Sequence, residues 1–411
     1  MLNPASLAKK DKMMIDLISG NGYFSCFAVV SILFNLKHSN MKIYLDNAAT
    51  TQLDPEVFSA MTPYLLEHYG NASSHHAHGR EAKRAIEQAR NTIVSLINAD
   101  PSEIIFTGGG TEADNTALLS AEGRRVITTP LEHHAVLHAL NKPHYLSVNN
   151  KGEIDLAELE LLLSDGVSSF VSIMHANNEI GVVNDIEAIG KLCESYGAIF
   201  HSDTVQTIGH YRHNLQNLKA HYITCSAHKF HGPKGVGFLY CRKGTNLSQL
   251  LHGGSQERKL RAGTENIAGI IGLAKAFEIA CQGIDEHKQH IQGLKNRLVA
   301  KLEVLPGITF NSTSATEDSL YTVLSVNFPS IGIDLLTLLD QNNISVSGGS
   351  ACSTGSASHV LQAIKSDRSK DTIRFSFSKF NTVEEIDYTA SILYNLFKVT
   401  DNKIRKVEYS V

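Results

Sequence analysis

The chain has 411 residues, room for a large α/β domain with a smaller companion and too many for one small module. Hydrophobic residues at 42% and charged residues at 19% describe a folded globular protein and exclude a disordered one. A formal net charge of −4 leaves no electrostatic case for nucleic acid as a direct partner.

Six cysteines (Cys26, Cys193, Cys225, Cys241, Cys281 and Cys352) stand apart without a CxxC pair. That spacing argues against a disulfide scaffold and a structural zinc site and fits a reducing, cytoplasmic setting. Lys9, Lys10 and Lys12 precede an apolar run over 22–36. No small-x-small cleavage site follows, and the run is shorter than the roughly 18 residues of a spanning helix, so no membrane segment is expected. Met41 opens the compact block MKIYLDNAATT. The expectation is that residues 1–40 are an N-terminal extension outside the native protein, with Met41 the natural start.

From Met41 the pattern alternates β-rich runs with amphipathic helices, the signature of a mostly parallel sheet covered by helices. Helices are predicted over 55–68, 80–98 and 186–196. In the second, Ala85, Ile86, Ala89, Ile93, Leu96 and Ile97 form the apolar side. Strands are predicted at 103–107, 125–128, 169–175, 198–202, 222–225 and 236–240. Past Gly263 the rhythm changes. A long helix over 267–305 precedes strands at 308–311, 322–328 and 372–377 and helices at 334–341 and 383–397, which reads as a smaller α+β domain.

Ligands of open parallel sheets sit beyond the carboxyl ends of the strands. At the first such end, Gly108-Gly109-Gly110-Thr111 turns into a helix, which is either a tight structural turn or a phosphate site at a helix N-terminus. It carries neither GxGxxG nor GK[ST], which argues against a dinucleotide or P-loop site. His133 and His134 follow the strand at 125–128 and are either loop polars or a flat imidazole for a cofactor ring. Asp203, in HSDTVQ, either caps the next element or pairs with a pyridinium nitrogen.

Lys229, in CSAHKFHGPKG, stands between a buried strand and a turn stiffened by Gly232, Pro233, Gly235 and Gly237. Desolvation there lowers an amine's pKa and favours Schiff-base chemistry. Lys234 is its rival. Cys352, in VSGGSACSTGSASHVL, is surrounded by small residues, as a thiol that must reach partners would be, whereas Cys225 and Cys241 read as structural. His75, His76 and His78 lie in a polar loop and read as surface or capping residues rather than metal ligands.

Taken in order, YLDNAATT, TGGGTEADN, HANNEIG, HSDTVQ, SAHKFHGPKG, RAGTEN, GGSACSTG and IRFSFSKF closely resemble the cysteine desulfurases of the nitrogen-fixation and iron–sulfur-assembly class, within the class-V aminotransferases. The resemblance runs from Met41 nearly to Thr400. It implies an α/β fold-type-I transferase dependent on pyridoxal 5'-phosphate, with a mostly parallel seven-stranded sheet in a large domain (54–285). A small α+β domain (41–53 and 286–411) would carry the cysteine loop, and the enzyme would be a homodimer.

The same resemblance implies that Lys229 carries the cofactor and that Gly110, Thr111, Ser226 and His228 bind its phosphate, with Thr264 reaching in from the other subunit. His133 would stack on the ring and act in catalysis, Asp203 would pair with the pyridinium nitrogen, and Gln206 would bond the ring hydroxyl. Asn178, at the cofactor's edge, and Arg374 would hold the carboxylate of L-cysteine. Cys352 would take the sulfur as a persulfide, alanine would leave, and the sulfur would pass to an acceptor protein for iron–sulfur assembly or tRNA thiolation. Cys352 ligating a cluster during transfer belongs to the same picture, and no resident metal does. A selenocysteine lyase or another class-V aminotransferase is the alternative on this fold. Two departures from the family pattern are a loop over 353–358 about two residues short and serines at Ser255 and Ser378 where glycine is usual.

Overall fold

The computed structural model describes residues 41–332, 334–348 and 358–408, with side chains through Phe397. The strands are β1 (Ile43–Tyr44), β2 (Ile104–Thr107), β3 (Arg125–Thr128), β4 (His144–Tyr145), β5 (Ser169–Ser172), β6 (Ile199–Asp203), β7 (Tyr222–Ser226), β8 (Gly237–Cys241), β9 (Thr309–Phe310), β10 (Val323–Pro329), β11 (Ile344–Ser345), β12 (Ser347–Gly348) and β13 (Lys370–Ser376). Every residue of β2, β5, β7 and β8 is buried, so both faces of this sheet are covered, which requires helices on each side.

Seven strands form the main sheet in the order β2-β8-β7-β6-β5-β3-β4. Pairing is parallel from β7 through β6, β5 and β3 to β4, and β8 alone runs against its neighbours. The carboxyl ends of β2, β3, β5, β6 and β7 therefore open on one edge, the place where such sheets bind ligands.

A second sheet, β12-β13-β10-β9, is wholly antiparallel, and β1 pairs parallel with β11. Ile43 and Leu45 pack with Leu294, Leu298, Phe328, Phe375 and Leu393 in a core separate from the one under the main sheet. The first described strand thus belongs to the packing of the chain's last third.

The mostly parallel seven-stranded sheet matches the expected fold, and the differences lie at element ends. The helix expected over 80–98 begins at Ala77, because His76 Nδ1 accepts from the Gly79 N–H and caps it. The long helix expected over 267–305 is two, Ile267–Gln282 and Ile284–Leu302, bent by 75° about Gly283. The strand expected to reach residue 175 ends at Ser172. Among the described residues no single helix is long and apolar enough to cross a membrane.

Candidate active site

The Gly-rich turn after β2 delivers Gly110 and Thr111 as the first residues of the helix Gly110–Leu119. Gly109 sits at φ 145°, a conformation that side chains disfavour. A Cβ on Gly110 would come within 2.9 Å of Val205 Cγ2, so only glycine lets this turn pack against the strand-end segment after β6. The helix N-terminus offers unpaired N–H groups and a favourable dipole for an anion.

After β7, residues Ala227–Lys229 make a single 3-10 turn. The Thr51 N–H and hydroxyl both donate to the His228 carbonyl, at 2.9 and 3.0 Å, and fix that turn to the N-terminal block. Lys229 Nζ donates to the carbonyls of Ala48 at 2.6 Å and Ala49 at 3.0 Å. Lys234 is exposed on the neighbouring surface and does not line the Lys229 cavity. Position thus separates two lysines that sequence spacing left as rivals.

Lys229 opens into a cavity of about 280 Å³. Nine of the other residues singled out in the sequence line it with Lys229: Gly110, Thr111, His133, Asn178, Asp203, Gln206, Ser226, His228 and Arg374. They come from the ends of five strands and from the second sheet. Thr264 is exposed and lies outside this cavity, and Cys352 lies outside the described residues. The chain on either side of Cys352 is anchored beside the cavity. Ser347 Oγ donates to Asp46 at 2.7 Å, and Ser358 Oγ donates to Glu179, the neighbour of Asn178, at 2.6 Å.

The electrostatics follow from burial. Asp203 accepts from the Val205 N–H at 2.8 Å, and burial, with the charge of Asp114 adding, pushes its carboxyl up to about 6. Burial also lowers His133, whose Nδ1 accepts from the Ala135 N–H at 3.1 Å, so the ring is neutral with its proton on Nε2. His228 is pulled down to about 4 by burial and the nearby lysines, and its Nδ1 lies 3.1 Å from the Thr50 hydroxyl. The Gln206 amide donates to the Ala48 carbonyl at 3.1 Å. Arg374 is bound on two sides, to Asp46 at 2.7 Å and to the Asn178 carbonyl at 3.1 Å.

Two acidic residues here were missed by sequence reasoning. Asp114 lines the cavity and is 1% exposed, with His201 Nε2 3.4 Å from its Oδ1; burial pushes it up to about 7. Its signal was available, because it stands one helical turn after Gly110 and so on the same face. Glu132, fully buried beside His133, takes the Met174 N–H at 2.9 Å and is pushed well up by burial. Among the described residues no cluster has the makings of a metal site. The four described thiols are free, and burial pushes Cys193 and Cys241 up to about 12, Cys281 to about 11 and Cys225 well up, so none is a ready nucleophile.

A strand-end cavity holding a lysine, a buried carboxylate and a neutral imidazole over a glycine-lined helix start defines a class of transferase site. The class-V aminotransferase family model matches residues 43–389. "Cysteine desulfurase IscS" of Dictyoglomus turgidum is 42% identical over 376 residues, 87% of this chain and 95% of that protein. "Cysteine desulfurase 2" of Trichormus variabilis is 43% identical over 369 residues, 85% and 92% of the two chains. A solved NifS-like protein aligns with a TM-score of 0.79 and 38% identity over 88% of this chain and 100% of its own. A NifS-like protein from Rickettsia africae gives 0.80 and 32% over 87% and 100%. The chain belongs to the class-V aminotransferases and, within them, to the cysteine desulfurases.

Proposed function

We propose that this chain converts L-cysteine to L-alanine with pyridoxal phosphate held on Lys229 and the sulfur carried as a persulfide on Cys352. The observation that carries the proposal is convergence: Lys229, Asp203, His133 and the N-terminus of the Gly110 helix face one buried cavity. The cofactor fits this set, since an anion site, a buried carboxylate for a ring nitrogen and a flat neutral ring surround one amine. Bound there, pyridoxal phosphate supplies an electron-withdrawing ring that stabilises negative charge at an amino acid's α-carbon.

The chain's own groups do the rest. Gly110, Thr111, Ser226 and His228 would hold the phosphate, Asp203 would keep the ring nitrogen protonated, His133 would pack on the ring, and Gln206 would bond the ring hydroxyl. Arg374 and Asn178 hold the substrate carboxylate, and the Lys229 amine moves the α-proton. The Cys352 thiolate bonds to the substrate sulfur as the S–Cβ bond breaks; that bond's electron pair stays with carbon, which is protonated to give alanine. Sulfur then passes to an acceptor protein, in iron–sulfur assembly or tRNA thiolation, with Cys352 available as a transient cluster ligand.

We further infer a cytoplasmic homodimer in which Thr264 completes the partner's phosphate site. Phe58, Leu65 and Leu66 support it: they are 55%, 56% and 70% exposed on one side of the helix Pro55–Leu66, an apolar stripe suited to a second copy. The large domain is taken as 54–285 and the small one as 41–53 with 286–411, each with its own core. The test is Cys352→Ala. Sulfide release from L-cysteine should vanish while the cofactor's yellow colour stays, and retained turnover would point to a lyase or an aminotransferase.

A further inference from the structure

Arg374 already has a carboxylate. Its Nη2 donates to Asp46 Oδ1 at 2.7 Å and its Nη1 to the Asn178 carbonyl at 3.1 Å, while the buried Nε has no hydrogen-bond partner among the described residues. The Arg374 side chain is 3% exposed and that of Asp46 20%. Strand register builds the arrangement. Ser347 of β12 lies directly opposite Arg374 of β13, and Asp46, just past β1, bridges Ser376 two residues further along β13. Ser347 Oγ donates at 2.7 Å to the same Asp46 Oδ1 that takes Arg374. One carboxylate oxygen thus serves both a guanidinium and a hydroxyl.

We propose that Asp46 is the resident counter-ion of the substrate-carboxylate arginine, a positioning residue that sets how tightly the amino acid's α-carboxylate is held. The inference rests on the reading of Arg374 as the carboxylate-binding residue. An almost fully buried guanidinium is costly without an anion, and Asp46 compensates it when no substrate is present and fixes the plane of its fork. An arriving carboxylate takes the remaining terminal N–H groups, and so shares one positive charge with a second anion close by. Like charges at that range oppose each other, which moderates the affinity. Alanine carries the same α-carboxylate as cysteine, so this moderation speeds product departure as much as it weakens substrate capture. Ser347 draws on the same oxygen and loosens the grip of Asp46 on Arg374.

The test is an equilibrium titration of the holoenzyme with L-alanine, followed by the cofactor's visible absorption, beside KM and kcat for L-cysteine. Asp46→Asn keeps an acceptor oxygen of the same shape and loses the charge. Alanine should bind about tenfold tighter, with KM for cysteine and kcat falling together. Ser347→Ala should act in the opposite sense and weaken alanine binding about threefold, because Asp46 then has Arg374 alone. A strut with no charge role would weaken binding in both variants, and unchanged or weaker binding in Asp46→Asn overturns the proposal. Should Asp46→Asn fail to fold, unchanged or tighter binding in Ser347→Ala overturns it instead. Arg374→Gln separates the two layers. A tenfold or greater loss of alanine affinity upholds the carboxylate site; unchanged affinity removes that reading and the inference with it.

Discussion

Lys229 Nζ and the carbonyl oxygen of Ala48 lie 2.6 Å apart although 181 residues separate them in the chain. The N-terminal block that packs with the second core thus touches the amine on the main sheet. Carbonyl acceptors hold that amine in place, so its position depends on the MKIYLDNAATT segment. Lys229→Ala should remove every covalent attachment of pyridoxal phosphate, whereas Lys234→Ala should retain it. Borohydride reduction followed by mass mapping reads this directly. An adduct on Lys234 in the wild-type protein would contradict the assignment.

Asp203 offers a pH test. Its pKa is raised, from an ordinary 3.8 to about 6, by burial first and the charge of Asp114 second. Only the anion pairs well with a protonated ring nitrogen, so apoenzyme affinity for pyridoxal phosphate should fall as pH drops through about 6. Asp203→Asn removes the titrating carboxyl and should leave an affinity that is weak and flat across that range. A midpoint that persists in the variant's fluorescence-quenching titration would assign the pH dependence to another group.

Much of this was legible because strand ends and ligand chemistry coincide. Asp203 and Ser226 close short buried strands, and Gly110 and Lys229 each follow one by three residues, so naming the strand located the side chain. What escaped depends on long-range contact. Nothing in YLDNAATT says that Asp46 meets an arginine 328 positions away, whereas the spacing of Asp114 from Gly110 already places it on the site's side of that helix. The break at Gly283 escaped for a different reason, since the apolar pattern continues across it and only the packing of two separate cores turns the chain.

Glu257 carries a stability prediction. It takes Arg90 through both oxygens, at 2.8 and 3.0 Å, and also the Phe106 N–H at 3.0 Å, with both side chains almost fully buried. Glu257, Arg258 and Lys259 all have positive φ, so this local backbone is held by such contacts. Glu257→Ala leaves the buried guanidinium to the half-exposed Glu87, whose carboxylate lies 3.2 Å from its Nε, and should cost up to about 3–5 kcal/mol in denaturant unfolding. A loss below about 1 kcal/mol would show that Arg90 finds a replacement, since surface pairs fall in that range.

Lys295 should give the protein a pH-dependent stability unrelated to catalysis. It is fully buried in the helix Ile284–Leu302 and, among the described residues, donates to two neutral acceptors, the Ser319 hydroxyl at 2.7 Å and the Leu320 carbonyl at 3.1 Å. Burial lowers its pKa from an ordinary 10.5 to about 7. The sign follows from proton counting. Between about 7 and 10.5 the unfolded chain binds a proton at this site that the folded one does not, so stability rises with pH across that window. Below about 7 both states are charged and the full penalty of burying the ammonium is present. Lys295→Met removes the titration and takes one donor from the Leu320 carbonyl, which keeps the Val323 N–H at 3.2 Å. Urea unfolding at pH 7 and pH 9.5 should therefore show a smaller gain with pH in the variant than in the wild type. Equal gains in the two proteins would assign the pH dependence to other groups.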